Sequence, residues 1–253
     1  MELRCPQSHC DVFNTLAGEN SSIGIWPQGL TARRSKLATM KPGPSPRAVI
    51  FDMDGTLLDT RKTVPDAIRA TIRELTGKTC SYEDVFAVWS AGTVVATLTP
   101  LLGRPVTQTD VDAYLRHVDA GLAELNPYPG IRECLEALSA RVPVGVFTGA
   151  SRRVAELSLT ATGLLPFITA LLGGDEVVQP KPHPEGIVVV SRQLGVDVHE
   201  AAYVGDAPGD MLAARTAGAL AVAATWGHSY DPTAPAEAAP RHPADLLDLL
   251  DRS

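Results

Sequence analysis

At 253 residues, with 45% hydrophobic and 20% charged content, the chain can bury a full core, and its length suits one domain carrying an insertion. Its formal net charge is −7, and it has neither basic runs nor interleaved aromatics, which argues against nucleic acid or an anionic membrane as the main partner. Any anionic substrate must therefore be drawn by a local positive site.

Cys5, Cys10, Cys80 and Cys134 form no C-x-x-C pair, as expected of reduced thiols in a cytoplasmic protein. Cys5, His9 and Cys10 lack the second ligand pair that a zinc site needs. No stretch approaches the roughly twenty apolar residues of a membrane span. The N-terminus has no basic start followed by an apolar core.

Residues 1–46 show no sustained period and carry scattered Gly, Pro, Ser and Asn, the pattern of a poorly ordered extension. Met40 would serve as an alternative start. Arg33-Arg34-Ser35-Lys36 is a weak targeting signal. The aliphatic run Ala48 to Phe51 then reads as a strand buried on both faces, of the kind found in parallel sheets covered by helices. It ends in Asp52-Met53-Asp54-Gly55-Thr56, at the sheet edge where open α/β folds place their ligand crevice. Taken alone, the two acids also suit a turn before Gly55.

From residue 61 to 127 the pattern is helical. A helix capped by Thr63 runs through Leu75 and stops at Gly77, with Ile68, Ile72 and Leu75 on one face. Ser81-x-x-Asp84 opens a second helix carrying Val85, Val88 and Trp89, and Thr93 to Leu102 suits a third. Thr109-x-x-Asp112 opens a fourth with Val111, Leu115, Val118 and Leu122 at helical spacing. The breaker cluster Asn126-Pro127-Tyr128-Pro129-Gly130 returns the chain to alternating elements. Strands are expected at Val142 to Phe147, Phe167 to Leu172, Ala201 to Val204 and Ala219 to Ala224. Helices are expected at Ile131 to Ala140, Ser151 to Thr162, Pro184 to Leu194, Pro208 to Ala217 and Ala244 to Leu250. Five short strands separated by helices predict an α/β doubly wound parallel sheet, built from residues 47–60 and 128–253.

Three more strand ends carry polar groups. Thr148-Gly149 precedes a helix opened by Ser151, where a hydroxyl and free N–H groups form an anion site, although Ser151 also serves as a simple cap. Lys181 stands among Pro180, Pro182 and Pro184, on a backbone stiff enough to aim it rather than leave it solvated. Asp206 and Asp210 follow Ala201 to Val204 and place two acids where they can converge on a hard cation or favour a helix N-terminus.

These four motifs, in this order, resemble those of the haloacid dehalogenase-like (HAD) hydrolases, over about Arg47 to Trp226. The resemblance implies a Rossmann-like core with an inserted all-helical cap at 61–127. It also implies a Mg²⁺-dependent phosphatase acting on a small phosphorylated metabolite through an aspartyl phosphate. Asp52 would be the nucleophile, Asp54 the general acid and base, and Thr148, Gly149 and Lys181 the phosphate-binding groups. Mg²⁺ would be held by Asp52, the Asp54 carbonyl and Asp206, with Asp210 ligating through water or orienting the shell. The acid at Asp54 speaks for phosphoesters rather than phosphonates or halides, and the helical cap looks most like the phosphoglycolate phosphatase branch. A phosphomutase of the β-phosphoglucomutase type and a non-catalytic binding protein are the alternatives. Specificity is expected in the cap, at Arg61, Trp89, Gly92, Thr93 and His117.

Without compensation, Asp52, Asp206, Asp210 and a phosphate would repel by about 4 kcal/mol per unit pair at 4 Å and an effective dielectric near 20. A divalent cation and Lys181 are what that set requires.

Overall fold

The computed structural model describes residues 44–89 and 93–251, so Cys5, His9, Cys10, nearly all of the N-terminal extension and Gly92 lie outside the described residues. Strand β1 (Ala48–Phe51) is the middle of a five-stranded parallel sheet with β4 (Val144–Phe147) and β5 (Ala170–Leu172) on one side, and β6 (Ala201–Gly205) and β7 (Leu220–Ala223) on the other. Val49 pairs with Val144 on one flank and Ala202 on the other. Successive side chains of a strand point to opposite faces. Val49 and Phe51 accordingly pack with Ile131, Leu135 and Leu159, which belong to α5 (Ile131–Ser139) and α6 (Arg152–Ala161). Ala48 and Ile50 face Ile187, Val190 and Met211, from α7 (Glu185–Gln193) and α8 (Pro208–Ala217). Both faces are dry, which is why these strands lack alternation.

Two strands are shorter than their apolar runs. Pro143 has no N–H for the ladder, so β4 begins at Val144, although the Pro143 carbonyl still accepts from Val49 N–H at 3.2 Å. Pro166 sits in a 3₁₀ turn, Leu165–Phe167, and delays β5 to Ala170. The expected final helix is instead a 3₁₀ segment, Pro243–Leu249, which buries Leu246 and Leu249 in the α5 side of the core.

Between β1 and α5 the chain leaves and re-enters the core through a ribbon absent from the sequence reading. Strand β2 (Leu58–Asp59) pairs antiparallel with β3 (Asn126–Pro127), Leu58 opposite Pro127 and Asp59 opposite Asn126. A two-residue edge ribbon tolerates Pro127, whereas a central strand would not. Among the described residues four α-helices lie between the two strands: α1 (Thr63–Thr76), α2 (Tyr82–Trp89), α3 (Val94–Leu102) and α4 (Gln108–Gly121). Ile68 and Ile72 of α1, Val85, Leu98, Tyr114 and Val118 form their common core, and Val154 of α6 joins it.

Helix caps follow the sequence in part. Gly77 ends α1 at φ +69°, and Ser81 and Asp84 exchange hydrogen bonds at the start of α2. Thr63, by contrast, is the first residue inside α1 and does not cap it. The cap of helix α4 lies two residues before Thr109, at Thr107, which accepts from Asp110 N–H while the Asp110 carboxylate accepts from Thr107 N–H at 2.8 Å. Asp110 is buried and also receives both Arg104 terminal nitrogens, at 2.6 and 2.9 Å, an arrangement that no spacing rule announces.

Candidate active site

All the polar strand ends of the sheet come together at its C-terminal edge. Asp52 directly follows β1, and its N–H donates to the Val204 carbonyl at 2.8 Å, which fixes the turn against β6. Asp206 follows β6, and Asp210 lies in the first turn of α8, its carboxylate accepting from Ala207 N–H at 3.0 Å. One carboxylate oxygen each from Asp52, Asp206 and Asp210 lies within 4.8 Å of the others, and all three residues are buried. The Asp54 carboxyl is not in this cluster.

Lys181 reaches the cluster from the proline-rich turn before α7. Its ammonium donates to Asp52 at 2.7 Å, to Asp210 at 2.8 Å and to the Tyr203 hydroxyl at 3.2 Å, filling its three donor positions. Tyr203, fully buried in β6, shares its own proton between the Phe147 carbonyl at 3.0 Å and Asp210 at 3.3 Å. A tyrosine inside an aliphatic strand needs a partner for its hydroxyl, and that was the available signal for a residue the sequence reading passed over.

The other acid faces elsewhere. The Thr148 hydroxyl, at the end of β4, donates to Asp54 at 3.4 Å and accepts from Ala150 N–H at 3.1 Å. Gly149 lines, with Asp54, a crevice between the core and the four helices. Gly55 and Gly227 crowd Asp206: a Cβ on Gly55 would lie 2.3 Å from its Oδ2, and one on Gly227 2.2 Å from its Cβ. The Ser229 N–H holds the same Oδ2 at 2.8 Å, and the Trp226 indole N–H donates to the Thr56 carbonyl at 2.9 Å, so the loop after β7 also belongs to the site.

Of the residues expected to set specificity, Trp89 and Thr93 line the crevice. Arg61 instead engages Asp59, at 2.8 and 2.5 Å. His117 does not face the crevice: its Nε2 lies 2.9 Å from Glu74 on α1, because helical spacing turns that position toward the neighbouring helix.

The electrostatics are those of a crowded, buried pocket. Burial lifts Asp52 well above the usual carboxylate range, Lys181 opposes that, and Asp210, Asp54 and Asp206 add to it. Burial also pushes Asp206 up to about 7 against the pull of the Ser229 N–H. Asp54 is raised by burial and held back in part by the neighbouring Thr60 hydroxyl, Lys181 and Thr148. For Lys181, burial works against the charge, but Asp210 and Asp52 outweigh it and hold the ammonium well above its ordinary range. Three buried carboxylates thus cluster where one ammonium bridges only two of them. The remaining negative charge and the all-oxygen donor set fit a hard divalent cation.

The profile of the haloacid dehalogenase-like hydrolase family matches residues 49–224. A phosphoglycolate phosphatase of Xanthomonas campestris is 32% identical over 187 residues, 72% of this chain and 85% of that protein. One of Rhodospirillum rubrum is 34% identical over 204 residues, 75% and 83% of the two chains. The crystal structure of a HAD-superfamily hydrolase of subfamily IA from Geobacter sulfurreducens superposes with a TM-score of 0.67 at 27% identity, covering 81% of this chain and 100% of that one. The polar groups at three strand ends, Lys181 in the turn before α7 and these likenesses together place the chain in the haloacid dehalogenase-like hydrolases.

Proposed function

We propose that the chain is a Mg²⁺-dependent phosphatase of small phosphorylated metabolites that works through an aspartyl phosphate on Asp52. The observation that carries this reading is the convergence of Asp52, Asp206 and Asp210 at the sheet edge, with Lys181 bridging Asp52 and Asp210. Its relatives named as phosphatases support the choice of phosphoesters. We take the four helices between β2 and β3 as a cap over the crevice; only two backbone segments join it to the core, as a lid requires.

Asp52, Asp206, Asp210 and the Asp54 carbonyl would hold the cation, which supplies charge neutralisation for the phosphoryl oxygens when bound. Lys181, Thr148 and the backbone at Gly149 bind and orient the phosphoryl group. An Asp52 oxygen attacks phosphorus and the ester P–O bond breaks. Asp54, whose proton affinity burial raises, gives its proton to the departing oxygen. Water then attacks phosphorus, Asp54 takes its proton, and the bond to Asp52 breaks to release phosphate.

The test is intact and peptide mass spectrometry after mixing with a monoester that has a good leaving group. Asp54→Asn should accumulate a hydroxylamine-sensitive phosphoryl adduct on the peptide containing Asp52, because that leaving group needs no proton while hydrolysis lacks its base. Asp52→Asn should carry no label and release no phosphate. Turnover by Asp52→Asn, or label on another residue, would refute the mechanism. Interconversion of sugar phosphates in place of phosphate release would instead identify a mutase.

A further inference from the structure

The crevice beside Asp54 is where the departing part of the ester must sit, since Asp54 protonates the oxygen that leaves. Its walls are Ile68, Trp89 and Val154 on the apolar side and Thr93, Thr97 and Tyr114 among the hydroxyl groups; the other lining residues are uncharged, apart from Asp54 itself. Among the described residues no lysine, arginine or histidine lines it. The stretch Ser90-Ala91-Gly92, between the lining residues Trp89 and Thr93, has no basic residue in its sequence either.

Basic groups elsewhere around the site are committed to other partners. Lys181 bridges Asp52 and Asp210 at the phosphate end. Arg61 holds Asp59 through two nitrogens. His228 packs on the Trp89 ring at a centroid distance of 5.6 Å, and burial lowers its proton affinity.

We infer that the leaving group is uncharged: this site takes the phosphate ester of a neutral alcohol with a partly apolar, hydroxyl-bearing body, and discriminates against esters whose leaving group carries a carboxylate or second phosphate. This rests on the phosphatase reading above. A second anion in the crevice would be desolvated without a cation and would face the Asp54 carboxylate after proton transfer. The hydroxyl groups of Thr93, Thr97 and Tyr114 can pair with hydroxyls of a neutral substrate, and the apolar wall takes its carbon skeleton. The phosphoglycolate phosphatase relatives act, by name, on an ester that does carry a carboxylate, so the inference separates this chain from them.

The experiment is phosphate release by the full chain with Mg²⁺ from phenyl phosphate and from a matched pair, 2-hydroxyethyl phosphate and 2-phosphoglycolate. The pair differs only in a hydroxymethyl group against a carboxylate. Expected is turnover of phenyl phosphate and at least about ten-fold higher kcat/KM for the neutral member, with Trp89→Arg moving that ratio toward the acid. Equal or better use of 2-phosphoglycolate while phenyl phosphate is hydrolysed overturns the inference and leaves the phosphatase reading standing. No release from any of the three overturns both.

Discussion

The Tyr203 hydroxyl accepts from the Lys181 ammonium at 3.2 Å while donating toward the Phe147 carbonyl, so one buried phenol ties the phosphate-side lysine to the strand that carries Thr148. Tyr203→Phe removes that link and leaves a carbonyl without its donor. It should cost about 1–3 kcal/mol of stability, the usual penalty for an unsatisfied buried polar group. Lys181 keeps Asp52 and Asp210 as partners, so turnover should fall by no more than about ten-fold, whereas Lys181→Ala should lose about a thousand-fold or more. Denaturant titration and steady-state phosphate release measure the two effects. Equal loss of activity in both variants would mean that the Tyr203 hydroxyl is as necessary to the site as the lysine it holds.

Asp206 is held by contact as well as by hydrogen bonding. Gly55→Ala and Gly227→Ala would each push a methyl group into it, and Gly55 adds a left-handed backbone at φ +82° that side chains resist. Both variants should weaken Mg²⁺ binding by at least about ten-fold while the fold persists, because the clash lies at the sheet edge and not in the core. Calorimetric titration with Mg²⁺ and circular dichroism separate these outcomes. Unchanged affinity in either variant would show that Asp206 is not a ligand.

Most of the sheet and the four polar motifs were legible in the sequence, because aliphatic runs and acids at their ends are local patterns. The five parallel strands and helix α8 from Pro208 to Ala217 lie where composition and capping place them. What was not legible is what depends on distant partners. Tyr203 acquires its role from Lys181 and Phe147 across the fold, and the loop from Trp226 to Ser229 matters because it closes over Thr56 and Asp206. His117 has helical spacing suitable for a binding face, yet its neighbour Glu74 is set by the packing of α1 on α4. Asp110 similarly reads as an ordinary helix-start acid until Arg104 is seen to clasp it.

The raised proton affinity of Asp206 makes cation binding and stability depend on pH in opposite directions. Without metal, folded Asp206 keeps its proton up to about 7, whereas an unfolded aspartate loses it near 3.9. Between those values the folded state binds more protons, so the stability of the metal-free protein should fall as pH rises from about 4 to about 7. Asp52 and Asp54, also raised, act in the same sense. A cation takes only the ionised carboxylates, so Mg²⁺ should raise the midpoint of thermal unfolding more at about pH 8 than at about pH 5.5. Asp206→Asn should flatten this difference. An Mg²⁺ shift that is the same at both pH values, or larger at the lower one, would contradict the linkage.

The loop after β7 meets both the cation site and the helices we take as the cap. Ser229 N–H holds Asp206, and one residue earlier the His228 ring packs on Trp89 at the end of α2, with its Nδ1 3.1 Å from the Tyr128 hydroxyl. Tyr128 in turn begins the return to the core, its N–H donating to the Leu57 carbonyl at 3.0 Å beside the β2–β3 ribbon. A cap that docks through Trp89 on His228 therefore closes against the same loop that positions Asp206. His228→Ala deletes the docking ring but no group that touches phosphate, so substrate should be retained less well while the chemical step persists. The expected result is a KM raised several-fold with kcat within about two-fold of the parent, the pattern of lost binding common to ground and transition states. Trp89→Ala should give the same direction, and the double variant should lose less than the two single losses combined, because each removes the same contact. Additive losses would mean that the two rings act separately and that this contact does not hold the cap.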